Sequence, residues 1–231
     1  EGKGGNICLS GGLFANVKIN QRVSELGFKQ VFISPPMSDD GTALGAALQV
    51  ASSSSTFSPK SIHSMFLGPS FTSGKGRAAQ YVKTNNIKFH SLKNATIELA
   101  KLLSDGKILA VYQGRMEFGP RSLGNRSILA SASDPAINEL LNKRLNRTEF
   151  MPFAPICLDS DAEKLFYDID RIRHAAEFMT VTVNCTAEMQ SLCSAAVHSD
   201  GTARPQLVTK EINPFLHQLL TSYKKLTAKP A

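Results

Sequence analysis

Gly114-Arg115-Met116-Glu117-Phe118-Gly119-Pro120-Arg121-Ser122-Leu123-Gly124-Asn125-Arg126-Ser127-Ile128-Leu129 is the stretch on which the reading of this chain turns. The apolar run Ile108-Leu109-Ala110-Val111-Tyr112 leads into it and has the character of a strand. Three arginines, an Asn-Arg-Ser triplet, two glycines after Gly114 and a proline then follow within a few residues of one another. Glycine lacks a Cβ, so Gly119 and Gly124 let backbone N–H groups come close to a ligand. Guanidinium forks match phosphate and carboxylate oxygens two at a time, so closely spaced arginines favour a polyanion. Arginines set among apolar runs are costly unless something anionic compensates them. The plain alternative is a solvated basic loop with surface ion pairs. The density of charge between apolar strands favours an anion site formed by Arg115, Arg121 and Arg126.

Working outward, the chain has 231 residues, a hydrophobic content of 42% and a charged content of 19%, enough for a packed core and inconsistent with wholesale disorder. The net charge of +7 points to anionic partners: phosphates, nucleotides or nucleic acid. No apolar run approaches the roughly 18 residues that a membrane span needs, and no signal-peptide pattern is present, so no membrane partner is expected. Cys8, Cys157, Cys185 and Cys193 are scattered without a Cys-x-x-Cys pair. They read as reduced thiols of a cytoplasmic protein. The five histidines are also dispersed.

The first segment alternates strand and helix. Ile7-Cys8-Leu9 ends in the turn Ser10-Gly11-Gly12, Asn16 to Leu26 has helical spacing closed by Gly27, and Val31-Phe32-Ile33 stops at Pro35-Pro36. Thr42 to Val50 is a helix of small residues whose alanines allow close packing. Such units predict a layered α/β domain, too short by residue 50 to be complete. Ser52-Ser53-Ser54-Ser55-Thr56 reads as a linker, which divides the chain into 1–58 and 59–231. In the second part the spacing predicts a helix over Ile97 to Ser104. A helix opened by Asp134-Pro135 should bury Ile137, Leu140, Leu141 and Leu145. A capping box from Ser160 to Glu163, a strand over Phe178 to Val183 and a final amphipathic helix after Asn213-Pro214 complete the pattern.

The Gly114–Leu129 block resembles the signature of the O-carbamoyltransferases that decorate nodulation factors and antibiotics, with Ser122 in place of Ala as the one difference. Three further blocks are similar to that family: Gly11-Gly12-Leu13-Phe14-Ala15-Asn16, Asp39-Asp40-Gly41-Thr42-Ala43-Leu44-Gly45-Ala46-Ala47-Leu48, and His198-Ser199-Asp200-Gly201-Thr202-Ala203-Arg204-Pro205-Gln206. The resemblance implies the C-terminal piece of a sugar-kinase/actin-like domain, followed by an α/β domain that forms carbamoyl-adenylate. It implies ATP as cofactor, carbamoyl phosphate as donor and a small-molecule hydroxyl acceptor. Arg115, Arg121 and Arg126 would neutralise phosphate charge, with Asn125 and Ser127 donating neutral hydrogen bonds. Gly11, Gly12, Asn16, Lys143, Arg147, Asp200, Thr202 and Arg204 would hold substrate or nucleotide. Asp39 would ligate a divalent metal or iron; the rival reading from the residues is a helix cap, since an acidic residue favours the positive end of the helix dipole.

The sequence also departs from the family. No His-x-x-x-His helix is present to complete the metal site, Met151 stands where many members have Arg before Pro-Phe-Ala-Pro, and an Asn-Thr-Ser-Phe-Asn-like turn is missing at the end. These departures lead to the expectation of a fragment that lacks the N-terminal part and the extreme C-terminus. A non-catalytic nucleotide- or RNA-binding homologue is the competing class. Nucleic acid is disfavoured because aromatic residues make up only 7%, tryptophan is absent, and the basic cluster sits among Gly and Pro turns rather than aromatic stacking platforms.

Overall fold

The computed structural model describes residues 4–54, 56–58, 63–70, 75–148 and 152–231. It is a mixed α/β structure. In the first segment β1 (Asn6–Leu9) and β2 (Gln30–Ile33) pair in parallel, joined by a single 3-10 turn and α1 (Val17–Ser24). Asn16 starts α1: its Oδ1 accepts from Lys18 N at 3.0 Å and Ile19 N at 3.3 Å. The helix α2 (Asp40–Ser52) then runs off the end of this unit. It was expected to pack closely through its alanines, but none of its residues is buried.

Next come α3 (Lys75–Thr84) and α4 (Ala95–Ser104), then β3 (Leu109–Tyr112) and β4 (Arg126–Leu129), which pair antiparallel in the register Leu109↔Leu129 to Tyr112↔Arg126. The arginine-rich block is therefore the long loop of a β-hairpin. The chain continues through α5 (Ala136–Arg144), β5 (Ile156–Leu158), α6 (Ala162–Leu165), α7 (Arg173–Glu177), β6 (Val183–Asn184), α8 (Ala187–Leu192), β7 (Thr202–Ala203), β8 (Gln206–Val208) and α9 (Pro214–Thr227). β5 and β8 are parallel, and β6 and β7 antiparallel.

The first segment shares its core with the last third of the chain. Leu9, Val31 and Ile33 pack in one cluster with Cys157, Leu165, Phe166, Ile169, Val181 and Leu207. Ile33 is fully buried, and side chains of its kind contribute roughly 1.5–3 kcal/mol each when removed from water. Polar contacts fix the docking of α1. Asn20 donates through Nδ2 to the carbonyls of Phe14 and Thr180, both at 2.7 Å, and Gln21 Oε1 accepts from Thr182 Oγ1 at 2.8 Å. A second cluster joins α4, β4 and α9 through Ala100, Leu103, Leu129, Leu216, Leu219 and Tyr223.

Three local expectations are corrected. On α5 only Leu141 is buried, and Leu140 and Leu145 are each 41% exposed. Ile137, Leu141 and Leu145 instead border an apolar cavity of about 120 Å³ that no side chain fills. The capping box at Ser160 does not form; Glu163 is drawn away by Arg173, whose Nη2 lies 2.9 Å from its Oε1. The strand over Phe178 to Val183 is cut to Val183–Asn184, because Met179 takes a positive φ of 57° that breaks extended backbone. Position 151, where Arg was expected from the family, lies outside the described residues, as does Ser55 of the linker.

Candidate functional site

The loop between β3 and β4 is organised by a residue that the sequence reading passed over. Glu117 reaches back across the loop, and its Oε1 accepts from the backbone N–H groups of Leu123 at 3.0 Å, Asn125 at 2.8 Å and Arg126 at 3.0 Å. Burial alone would raise its pKa, but the N–H groups of Arg126, Asn125 and Leu123 outweigh that and hold it below the ordinary carboxylate value. The three amides converge on one oxygen because Gly119 and Gly124 turn with φ of 114° and 102°. Gly124 also lies against α9: a Cβ there would stand 2.5 Å from Leu216 Cδ2. The signal was available, since Glu117 sits inside the quoted block.

Each of the three arginines meets its own backbone acceptors. Arg115 donates from Nε to Gly68 O at 2.9 Å and from Nη2 to Leu67 O at 2.8 Å. Arg126 donates to the carbonyls of Gln113 and Asn125 through Nη1 and to Gly114 O through Nη2, and stacks over Tyr112 with 3.6 Å from Cζ to the ring centroid. Arg121 Nη2 is 3.4 Å from Ala15 O in the first segment. The physical reason is that a long hairpin loop leaves carbonyls without ladder partners, and guanidinium groups with five N–H donors are the nearest means of satisfying them. Asn125 and Ser127 are likewise occupied. Asn125 is buried; its Nδ2 donates to Arg115 O at 2.7 Å, and its Oδ1 accepts from Gln113 Nε2 at 2.8 Å and Asn213 Nδ2 at 3.1 Å. Ser127 Oγ accepts from Gly124 N at 2.8 Å and shares a short hydrogen bond with Ser122 Oγ.

These bonds shape a cleft of about 270 Å³ between the loop and the start of α9, lined by Phe66, Gln113, Gly114, Arg115, Asn125, Ile212, Asn213, Pro214 and Phe215. Arg115 is the arginine of the block that lines it. Asn213 caps α9 by accepting from Leu216 N at 3.1 Å, and Pro214 opens the helix. The cleft therefore combines one cation, three amide side chains and the positive end of a helix of 14 residues. The apolar cavity beside α5 has no charged side chain on its wall and cannot stabilise a polyanion.

The remaining expected residues lie elsewhere. Asp200 and Thr202 join Lys18 and His198 in a network against α1. Lys18 Nζ pairs with Asp200 and donates to Thr202 Oγ1 at 2.7 Å; Thr202 Oγ1 donates to Asp200 Oδ1 at 2.7 Å and lies 3.1 Å from His198 Nδ1. Although burial opposes it, hydrogen bonds from Lys18 and Thr202 hold Asp200 well below the usual carboxylate range. Burial first, then Lys18, lower the pKa of His198 against the opposing pull of Asp200. Gly11 has a φ of 109° and donates its N–H to Met37 O at 2.8 Å, Gly12 opens the 3-10 turn, and Asn16 spends its side chain on capping α1. Lys143 lies exposed in the last turn of α5, and Arg147 sits over Phe153 at 4.8 Å. Asp39 is exposed at the start of α2 and makes no capping hydrogen bond. Among the described residues no group of three His, Cys, Asp or Glu side chains could hold a metal ion, so Asp39 has no partner ligands among them. Nor, among the described residues, is any helix long and apolar enough to cross a membrane.

Residues 1–48 match the family model for the carbamoyltransferase N-terminus, and residues 100–231 match that for the carbamoyltransferase C-terminus. The chain belongs to the carbamoyltransferase family. The blocks on which the carbamoyltransferase resemblance rested fall inside the matched ranges. Nodulation protein U of Sinorhizobium fredii is 33% identical over 226 residues, covering 97% of this chain and 38% of that protein. Nodulation protein NolNO of the same organism is 31% identical over 228 residues, covering 97% of this chain and 33% of that protein. The uncharacterized protein MJ1058 of Methanocaldococcus jannaschii is 34% identical over 230 residues, covering 96% of this chain and 37% of that protein. The chain thus spans well under half the length of these relatives.

Proposed function

We propose that this chain carries the donor-activating part of an ATP-dependent O-carbamoyltransferase. On this reading residues 59–231 form a carbamoyl-adenylate-forming domain, and residues 1–58 are the C-terminal part of a sugar-kinase/actin-like transfer domain. Carbamoyl phosphate gives up its carbamoyl group as carbamate, with orthophosphate leaving after water attacks. A carbamate oxygen then bonds to the α-phosphorus of ATP, and pyrophosphate departs. The carbamoyl carbon finally passes to the hydroxyl of a small acceptor, releasing AMP. Charge moves between phosphate oxygens throughout, and the fixed N–H donors and cation of a pre-formed cleft suit that chemistry.

The observation that carries the reading is the cleft in which Arg115 and the amides of Gln113 and Asn213 face the start of α9. Arg115 has two N–H groups on Nη1 beyond those given to Gly68 and Leu67, so it can hold the loop and meet an anion at once. Arg126 and Asn125 support the reading as positioning groups that fix the cleft wall. Calorimetry with carbamoyl phosphate and with ATP tests it. A charge-assisted contact is worth roughly 1.5–3 kcal/mol, so Arg115→Ala should weaken binding at least about tenfold while Arg115→Lys loses less. Equal affinities in the original chain and a folded Arg115→Ala variant would remove the claim.

A further inference from the structure

Gln206 stands at the first position of β8 and is 4% exposed. Its Nε2 donates to Leu123 O at 2.8 Å. That bond fixes which way the amide points, because the reverse orientation would set its oxygen against a carbonyl oxygen. Its Oε1 is then buried with no hydrogen-bond partner. A buried acceptor left unpaired is costly, and most in folded proteins have a partner. The side chain borders a cavity of about 20 Å³, with Met65, Leu123 and Glu177 on the other walls. That is room for one small polar group and little more. The cavity and the loop–α9 cleft have Phe66, Ile212 and Asn213 as common wall residues, so Gln206 lies behind the layer of side chains that bounds the cleft.

We infer that Gln206 reads the amide nitrogen of the donor: its Oε1 accepts a hydrogen bond from the –NH₂ of a carbamoyl group and so separates carbamoyl from acyl donors that present carbon at that place. This rests on the proposed function of the cleft. Leu123 holds Gln206 from one side and is itself tied to Glu117, so the reading group and the loop form one rigid wall. Glu177, half-buried on the far wall, is pushed up to about 7 first by burial and then by Asp159, which leaves much of it uncharged at neutral pH and keeps the inner cavity from repelling a phosphorylated ligand.

Carbamoyl phosphate and acetyl phosphate differ by –NH₂ against –CH₃ on the same acyl phosphate, and they provide the test. A site built to hydrogen-bond a ligand N–H rejects the analogue that lacks it. Calorimetry on the unmodified chain should show carbamoyl phosphate binding at least about tenfold more tightly than acetyl phosphate. Gln206→Met, which keeps the length and removes the acceptor, should bring the two donors to within about twofold while the affinity for inorganic phosphate stays unchanged. The substitution leaves Leu123 O without its donor, so urea denaturation accompanies it, and if the variant does not fold, the comparison of ligands on the unmodified chain decides alone. Equal binding of the two donors to the unmodified chain overturns the inference and leaves the cleft's function standing. Persistence of the preference in folded Gln206→Met overturns it as well. Failure of carbamoyl phosphate, inorganic phosphate and ATP to bind at all would overturn the inference and the proposed function together.

Discussion

Replacing Glu117 tests whether one carboxylate holds the signature loop. In Glu117→Ala the N–H groups of Leu123, Asn125 and Arg126 lose their common acceptor. A hydrogen bond to a charged group contributes roughly 1.5–3 kcal/mol. The three do not add in full, because they share one oxygen and water can reach a half-buried site, so the expected loss is about 3 kcal/mol. Glu117→Gln keeps an oxygen in place and loses only the charge, which should cost about 1 kcal/mol. The pH dependence has a definite sign. The folded pKa lies below the ordinary value, so the stabilisation is present above pH ~4.5 and is lost as pH falls through the folded value. Urea denaturation of the original chain and both variants at pH 7 and at pH 3 measures this. The reasoning fails if the Gln variant is as unstable as the Ala variant at pH 7, or if its deficit is undiminished at pH 3.

Gly124→Ala should destabilise by about 2–3 kcal/mol, since its φ of 102° strains any side chain and the new Cβ would strike Leu216; thermal unfolding reads the loss, and phosphate affinity should fall with it. Glu177→Gln should stabilise the chain by about 1–2 kcal/mol at pH 8 and by almost nothing near pH 4.5, because burial and then Asp159 raise the folded pKa to about 7 and its contribution is lost as pH rises through that value; equal urea midpoint differences at the two pH values would count against it. Asn16→Ala should cost about 1 kcal/mol by uncapping α1, while Asn16→Asp should cost little and leave nucleotide affinity unchanged; calorimetry showing a lost nucleotide contact in Asn16→Asp would assign the residue to the ligand instead.

Much of the architecture was legible from local pattern. Strands at Ile7–Leu9, Val31–Ile33 and Leu109–Tyr112, the helix begun by Asn213-Pro214 and the family blocks all follow from residues close in sequence. Side-chain periodicity and caps act within a few residues, so they survive without knowledge of the fold. The buried face of α5 did not follow, because whether Leu140 and Leu145 are covered depends on what packs opposite them.

The sequence by itself determined that Gly114–Leu129 is the decisive block, that its chemistry is cationic and amide-rich, and that the chain is an α/β carbamoyltransferase relative. Only the tertiary structure decided how that block is used. Arg126 turned to backbone carbonyls and Tyr112, Arg121 met the carbonyl of Ala15, and Arg115 was the one left beside the cleft. A motif fixes which donors and charges are available. Which acceptor each donor finds depends on carbonyls brought near by a hairpin loop and on a helix 88 residues away, as the bond from Asn213 Nδ2 to Asn125 Oδ1 shows. Gln206 and Asn20 gained their roles in the same way, through partners in other elements that no spacing along the chain encodes.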